Sequence, residues 1–240
     1  MILRLSLHAD PMNGNEPTFR YFQREEGVDE YHCHLPHWRQ DGVLYFLTFR
    51  LGDSIPASVL KAWEEDRRRF LAAHGIDARL TPAQREAQYL QIPDGIRRAY
   101  EHEELRSFHV EWDRCHGACL LRRPEAAEIL ASALRFHHGE RLHCGDFVIM
   151  PNHVHWLVAP YPEQKLEDLC QSVKRYSAAR INEIAGRTGK LWQHENFDHI
   201  VRNGRELSGI REYIRDNPVK ARLRAGEFVY HKADWLVTGE

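Results

Sequence analysis

Met150-Pro151-Asn152-His153-Val154-His155-Trp156-Leu157-Val158 sets two histidines on either side of one apolar residue, at the start of an apolar run. Strand residues two apart point to the same face, so His153 and His155 are expected to project together while Val154 and Trp156 pack behind them. Two imidazoles on one face can chelate a single divalent cation. The pair alone decides little, because the chain holds 16 histidines and an ordinary one is solvated or hydrogen-bonded to a neighbour. Its weight depends on what else reaches the same face.

The stretch GIREYIRDNPVK at 209–220 supplies candidate partners. Leu207, Ile210 and Ile214 recur at three and four residues, the period of a helix with one buried stripe, and Pro218 is expected to end that helix. Tyr213 and Asn217 are four apart, so the phenol and the carboxamide sit one turn apart on one face. A nucleophile and a ligand can therefore share a site.

Patterning elsewhere predicts strands over 43–51, 107–112, 141–149 and 153–159, helices over 55–73, 124–138 and 166–184, and an extended segment over 191–201. Residues 75–106 are rich in charge and helix formers, broken by Pro82 and Pro93, and read as a solvated helical cap inserted into a smaller core. This interleaving suits an α+β fold in which an antiparallel sheet carries helices mainly on one face. The domain layout expected is an arm over 1–30, a single domain over 31–225 with a helical insertion at about 57–110, and a tail over 226–240.

Composition is that of a soluble enzyme, 42% hydrophobic and 28% charged. No apolar run reaches the ~18 residues that span a bilayer, and the expectation is a cytoplasmic protein with no membrane partner. Five cysteines, an odd number, argue for reduced thiols. His32, Cys33, His34 and His37, and Cys115, His116 and Cys119, match no usual zinc spacing, so no structural zinc is expected. Gly186 to Lys190 lacks the spacing of a nucleotide-binding loop, and no nucleotide cofactor is expected.

The net charge of −2 hides a local excess: residues 171–225 hold 12 Lys and Arg against 6 Asp and Glu. Lys174, Arg175, Arg180, Lys190, Arg202, Arg211, Arg215 and Lys220 are candidate phosphate contacts, and Trp192 and Phe197 candidate platforms for unpaired bases.

Taken together, MPNHVHWLV at 150–158, SVKRYSAARIN at 172–182, GRTGKLWQHENFD at 186–198, YIRDNPVKARL at 213–223 and HLPHWRQDGVLYFLTFRLGDSIP at 34–56 resemble the Y1 tyrosine transposases, the HUH-type enzymes of the IS200/IS605 group, and most of all the REP-associated members. The resemblance implies a ferredoxin-like core with the Tyr213 helix across the open face of the sheet. It implies that His153, His155 and Asn217 hold Mg²⁺ or Mn²⁺, and that Tyr213 attacks a single-stranded DNA phosphodiester at a hairpin, leaving a 5′-phosphotyrosine link. Related enzymes often carry Gln where this chain has the shorter Asn217. A free tyrosine titrates near ~10, so something must assist loss of its proton; the candidates are a metal-bound water, or Arg211, Arg215 or Lys220 acting by charge. Tyr176, in a basic helix, is the rival nucleophile. A monomer is expected over a dimer that exchanges the tyrosine helix. The alternative to an enzyme is a protein that binds DNA hairpins without cutting them.

Overall fold

The computed structural model describes residues 19–23, 25–26, 29–32, 36–77, 79–194 and 196–236. Most of the expected 1–30 arm, together with Cys33 and His34, lies outside them.

A hairpin of β1 (Asp29–His32) and β2 (Pro36–Arg39) precedes the central strand β3 (Tyr45–Arg50). Three helices follow, α1 (Ala57–Ala73), α2 (Pro82–Tyr89) and α3 (Asp94–Asp113). Then come α4 (Pro124–Arg135), β4 (Leu142–Ile149), β5 (His153–Pro160), α5 (Leu166–Ile184), β6 (Phe197–Ile200), α6 (Gly204–Lys220) and β7 (Val229–His231). The sheet runs β6-β3-β5-β4-β7 with every neighbouring pair antiparallel. Without the insertion and β7 this is a β-α-β-β-α-β unit, the ferredoxin-like order that the resemblance implied.

Alternation along the strands divides the interior into two layers. Tyr45, Leu47 and Phe49 of β3 and Val154, Trp156 and Val158 of β5 join α4 and α5 in the larger core. Leu44, Phe46 and Leu157 face the other way and meet Leu207, Tyr213 and Ile214 of α6. Helices α4 and α5 thus cover one face, and α6 lies across the other. A bulge in β4 re-phases the pattern, so that Cys144 and Phe147, three apart, both enter the larger core. Gly145 sits at this bulge, where an added Cβ would come within 2.8 Å of the Leu157 carbonyl oxygen. The bulge lets Asp146 reach α6: its carboxylate accepts from Arg211 Nε at 2.8 Å and from the Ala233 amide at 2.9 Å.

Two expectations need correction. Residues 107–112 are not a strand but part of α3: Phe108 and Trp112, one turn apart, stack at 6.2 Å, and the apparent period-two pattern was a fragment of a longer helix. Pro218 does not end α6, which continues to Lys220; in the last turn a missing N–H forfeits one bond to the Ile214 carbonyl. Residues 226–236 of the expected tail pack on the core, since β7 pairs with β4 and Leu236 is buried in the second core.

Candidate active site

The β4–β5 hairpin turns at Pro151 and Asn152, closed by the Met150 amide donating to the His153 carbonyl at 2.8 Å. Asn152, His153 and His155 are all fully buried at the mouth of this turn. As the alternation requires, both imidazoles lie on the α6 side of the sheet, edge to edge, with their Nε2 atoms 3.1 Å apart. The Tyr213 hydroxyl is 3.2 Å from His155 Nε2. Asn217 follows one turn later on the buried stripe of α6. Residues distant in sequence thus converge within one chain.

Each imidazole has a partner at its far nitrogen. His155 Nδ1 lies 2.7 Å from Thr48 Oγ1, the residue directly across from it on β3, and His153 Nδ1 lies 2.8 Å from Asn152 Oδ1. The phenyl ring of Phe46 stacks on His155 at 5.5 Å and meets Tyr213 edge-on at 6.1 Å. Trp112, at the end of α3, lies 6.4 Å from both imidazoles and is only 5% exposed. The insertion is therefore more than a solvated cap, because its last turn walls the site.

A cation fits between the histidines on distance. Two ligands ~2.1 Å from an octahedral ion and ~90° apart are separated by about 3.0 Å, close to the 3.1 Å observed. The same spacing serves a shared proton when no ion is bound. With the far nitrogens occupied, the Nε2 atoms are the ones that face a ligand.

The expected basic set divides. Lys220 Nζ stands 5.4 Å over the Tyr213 ring, while Arg211 is engaged by Asp146 and the Leu236 carbonyl, and Arg215 by Asp216 at 2.7 Å. Of the three basic candidates, Lys220 is the one placed over the Tyr213 ring. Arg202 and Lys190 are exposed. Arg175 and Arg180 are exposed on α5, on the sheet face opposite the histidines, and Lys174 donates to the Gln193 and His194 carbonyls. Tyr176, the rival nucleophile, is also on α5 and 53% exposed. Trp192 is corrected from a base platform to a core residue: it is 4% exposed, packs on Phe49 at 5.0 Å and donates to Ser177 Oγ at 3.0 Å. Phe197 is half-buried beside Phe46 and Trp112. Burial pushes the Cys144 and Cys170 thiols up to about 12, so neither supplies a thiolate.

Thr48, Asn152, Trp112 and Arg50, which pairs across from His153, were not among the expected site residues. Thr48 and Arg50 carry a signal in sequence, as the polar positions of an otherwise apolar strand.

Residues 123–217 match the sequence profile of the family described as IS200-like transposases. Through this segment, less than half of its length, the chain is similar to that family. The matched segment runs from the start of α4 to Asn217, and so contains both histidines and the tyrosine. An uncharacterised protein of Haemophilus influenzae is 25% identical over a match that covers 31% of this chain and 53% of that protein, so the chain spans about half the length of that relative. The solved structure of a REP-associated tyrosine transposase bound to a REP hairpin is similar at 12% identity and a TM-score of 0.40, covering 79% of this chain and 74% of that one. Among the described residues no helix is long and apolar enough to cross a membrane.

Proposed function

We propose that this protein is an IS200-like transposase, a cation-dependent endonuclease and strand transferase for single-stranded DNA at hairpins, with Tyr213 as nucleophile. The observation that carries the reading is the Tyr213 hydroxyl 3.2 Å from His155 Nε2, itself 3.1 Å from His153 Nε2. Mg²⁺ or Mn²⁺ held by His153, His155 and Asn217 would polarise a phosphodiester and offset the charge that develops on its oxygens.

Tyr213 Oη forms a bond to phosphorus as the bond to the 3′ oxygen breaks, giving a 5′-phosphotyrosine and a strand ending in a 3′-hydroxyl. The phenol gives up one proton and the departing 3′ oxygen takes one up, so the step is proton-neutral overall, and the Lys220 ammonium 5.4 Å over the ring favours loss of the phenol proton by its charge. Phe46 and His155 both pack against the Tyr213 ring, edge-on at 6.1 Å and 4.9 Å, so the oxygen is aimed before substrate arrives. Reversal by a different 3′-hydroxyl rejoins the strand without a nucleotide cofactor. Lys190, Arg202, Arg215 and Lys220 are the exposed cations proposed to meet phosphate, and Lys174, Arg175, Arg180 and Arg211 contribute at most to the wider field.

The test is to incubate the protein with labelled hairpin-bearing single-stranded DNA and Mn²⁺ and resolve the products on a denaturing gel. A covalent adduct in the wild type that Tyr213→Phe lacks is expected. An adduct that survives the substitution reassigns the nucleophile, and binding without any cleavage leaves a hairpin-binding protein.

A further inference from the structure

The partners of the two far nitrogens differ in kind. Asn152 Nδ2 donates to the His116 carbonyl at 3.0 Å. A carbonyl oxygen only accepts, which fixes the orientation of the amide and leaves Oδ1 facing His153 Nδ1 at 2.8 Å. Oδ1 also only accepts, so the hydrogen must be on His153 Nδ1. In a neutral imidazole the other nitrogen, Nε2, then carries the lone pair. His155 is under no such constraint, because its Nδ1 meets the Thr48 hydroxyl, which can donate or accept.

His116 lies just past α3, so the anchor of the amide belongs to the junction between the insertion and the core. Asn152 is fully buried, and His116 Nε2 is itself tied to Glu111 at 3.2 Å. A line of bonded groups runs from the end of the insertion through Asn152 to one of the two imidazoles.

We propose that Asn152 is a positioning residue that locks His153 in the Nδ1–H tautomer, and that its bond to the His116 carbonyl makes the insertion part of the cation site. The inference rests on the cation reading above and adds to it a cause for the orientation of one ligand. His153 is a preformed ligand that offers Nε2 at all times. His155 is the adaptable one: with His153 Nε2 bare, the hydrogen between the two rings in the cation-free protein belongs to His155 Nε2, and Thr48 donates to its Nδ1.

The experiment uses the full chain labelled with ¹⁵N-histidine. Long-range ¹H–¹⁵N spectra of the cation-free protein report each tautomer, and calorimetry with Mn²⁺ reports affinity. The wild type is expected to show His153 as Nδ1–H and His155 as Nε2–H. Asn152→Leu should release His153 to a mixture of tautomers and weaken Mn²⁺ binding by about 10- to 100-fold, the usual consequence of removing the group that orients a ligating imidazole. Asn152→Asp keeps an acceptor for Nδ1–H but sets an oxygen against the His116 carbonyl. It should retain the His153 tautomer, which mere loss of packing would not do, but recover only part of the affinity, the remaining deficit being the share of the lost bond to His116; full recovery overturns the role given to that bond.

An Nε2–H signal for His153 in the wild type overturns the proposal whether or not the variants fold. So does Mn²⁺ affinity in Asn152→Leu equal to the wild type, in which case the cation reading itself survives. Failure of the wild type to bind Mn²⁺ overturns the cation reading and the proposal with it, and is told apart by appearing without any substitution.

Discussion

In α4, six of 12 residues are buried, Leu130 and Leu134 completely, whereas none of the 17 residues of α1 is. The core sheet excludes water on both faces. The insertion instead holds its helices with aromatic contacts, Phe70 on Tyr100 at 3.9 Å and Trp63 on Phe108 at 4.3 Å, and with a partly exposed ion pair between Arg67 of α1 and Glu104 of α3 at 3.6 Å. An exposed pair contributes about 0–1 kcal/mol, so the insertion is the region expected to open first. The site lies where the two meet, with its reacting groups on the core and Trp112 and the His116 carbonyl supplied from the other side. Both imidazoles are fully buried, so the proposed reaction requires the weaker region to give way before a phosphate can reach them.

The largest effect expected is from Tyr213→Phe, which should remove the covalent DNA adduct entirely while moving the unfolding transition by no more than the loss of one hydrogen bond, about 1 kcal/mol. A denaturing gel beside a urea titration checks both, and a large loss of stability would mean that the phenol serves the core more than the chemistry.

Leu130→Ala should lower global stability by about 2–5 kcal/mol, because it empties a closed cavity in the core. A shift below about 1 kcal/mol would erase the contrast between the regions. Phe70→Ala should cost about 1–2 kcal/mol and act locally: native-state hydrogen exchange should quicken in α1 and α3 and stay unchanged in β3, β4 and β5. Equal acceleration in the sheet would show that insertion and core unfold as one unit.

The smallest effect is that of pH at the β4–β7 edge. Burial holds His143 and His231 below the ordinary histidine value, helped by His138 in the first case and Arg135 in the second. The folded chain keeps them neutral while the unfolded chain takes up protons, so their contribution is full above about 6.5 and is lost as pH falls through the folded value. Thermal unfolding from pH 8 to pH 5 should show a decline that is shallower in the double variant His143→Gln, His231→Gln. An identical slope would show that the decline originates elsewhere.

The elements most legible in the sequence were those with long, unbroken periodicity. Helix α5 spans the expected 166–184, and β3, β4 and β5 fall within a residue or two of the strands predicted, since both faces of each meet apolar layers. Short windows misled: Phe108, Val110 and Trp112 alternate like a strand because six residues cannot reveal a helix of twenty. At the site, the histidines, Tyr213 and Asn217 were visible because local spacing puts each pair on one face. Trp112 and the His116 carbonyl were not, since nothing local says which way an inserted helix folds back. Trp192 carried the right composition for a base platform, but its burial follows from a bridge between Leu51 and Trp192 that sequence spacing does not encode.

The buried Asp146 carboxylate, bonded at once to Arg211 on the tyrosine helix and to the amide of Ala233, clamps α6 onto the polypeptide that also supplies the imidazoles. A nucleophile secured in this way need not be delivered by a collision between two copies. In the proposed reaction the cleavage rate should then be first order in enzyme, with specific activity holding constant on dilution far below any concentration at which subunits would associate.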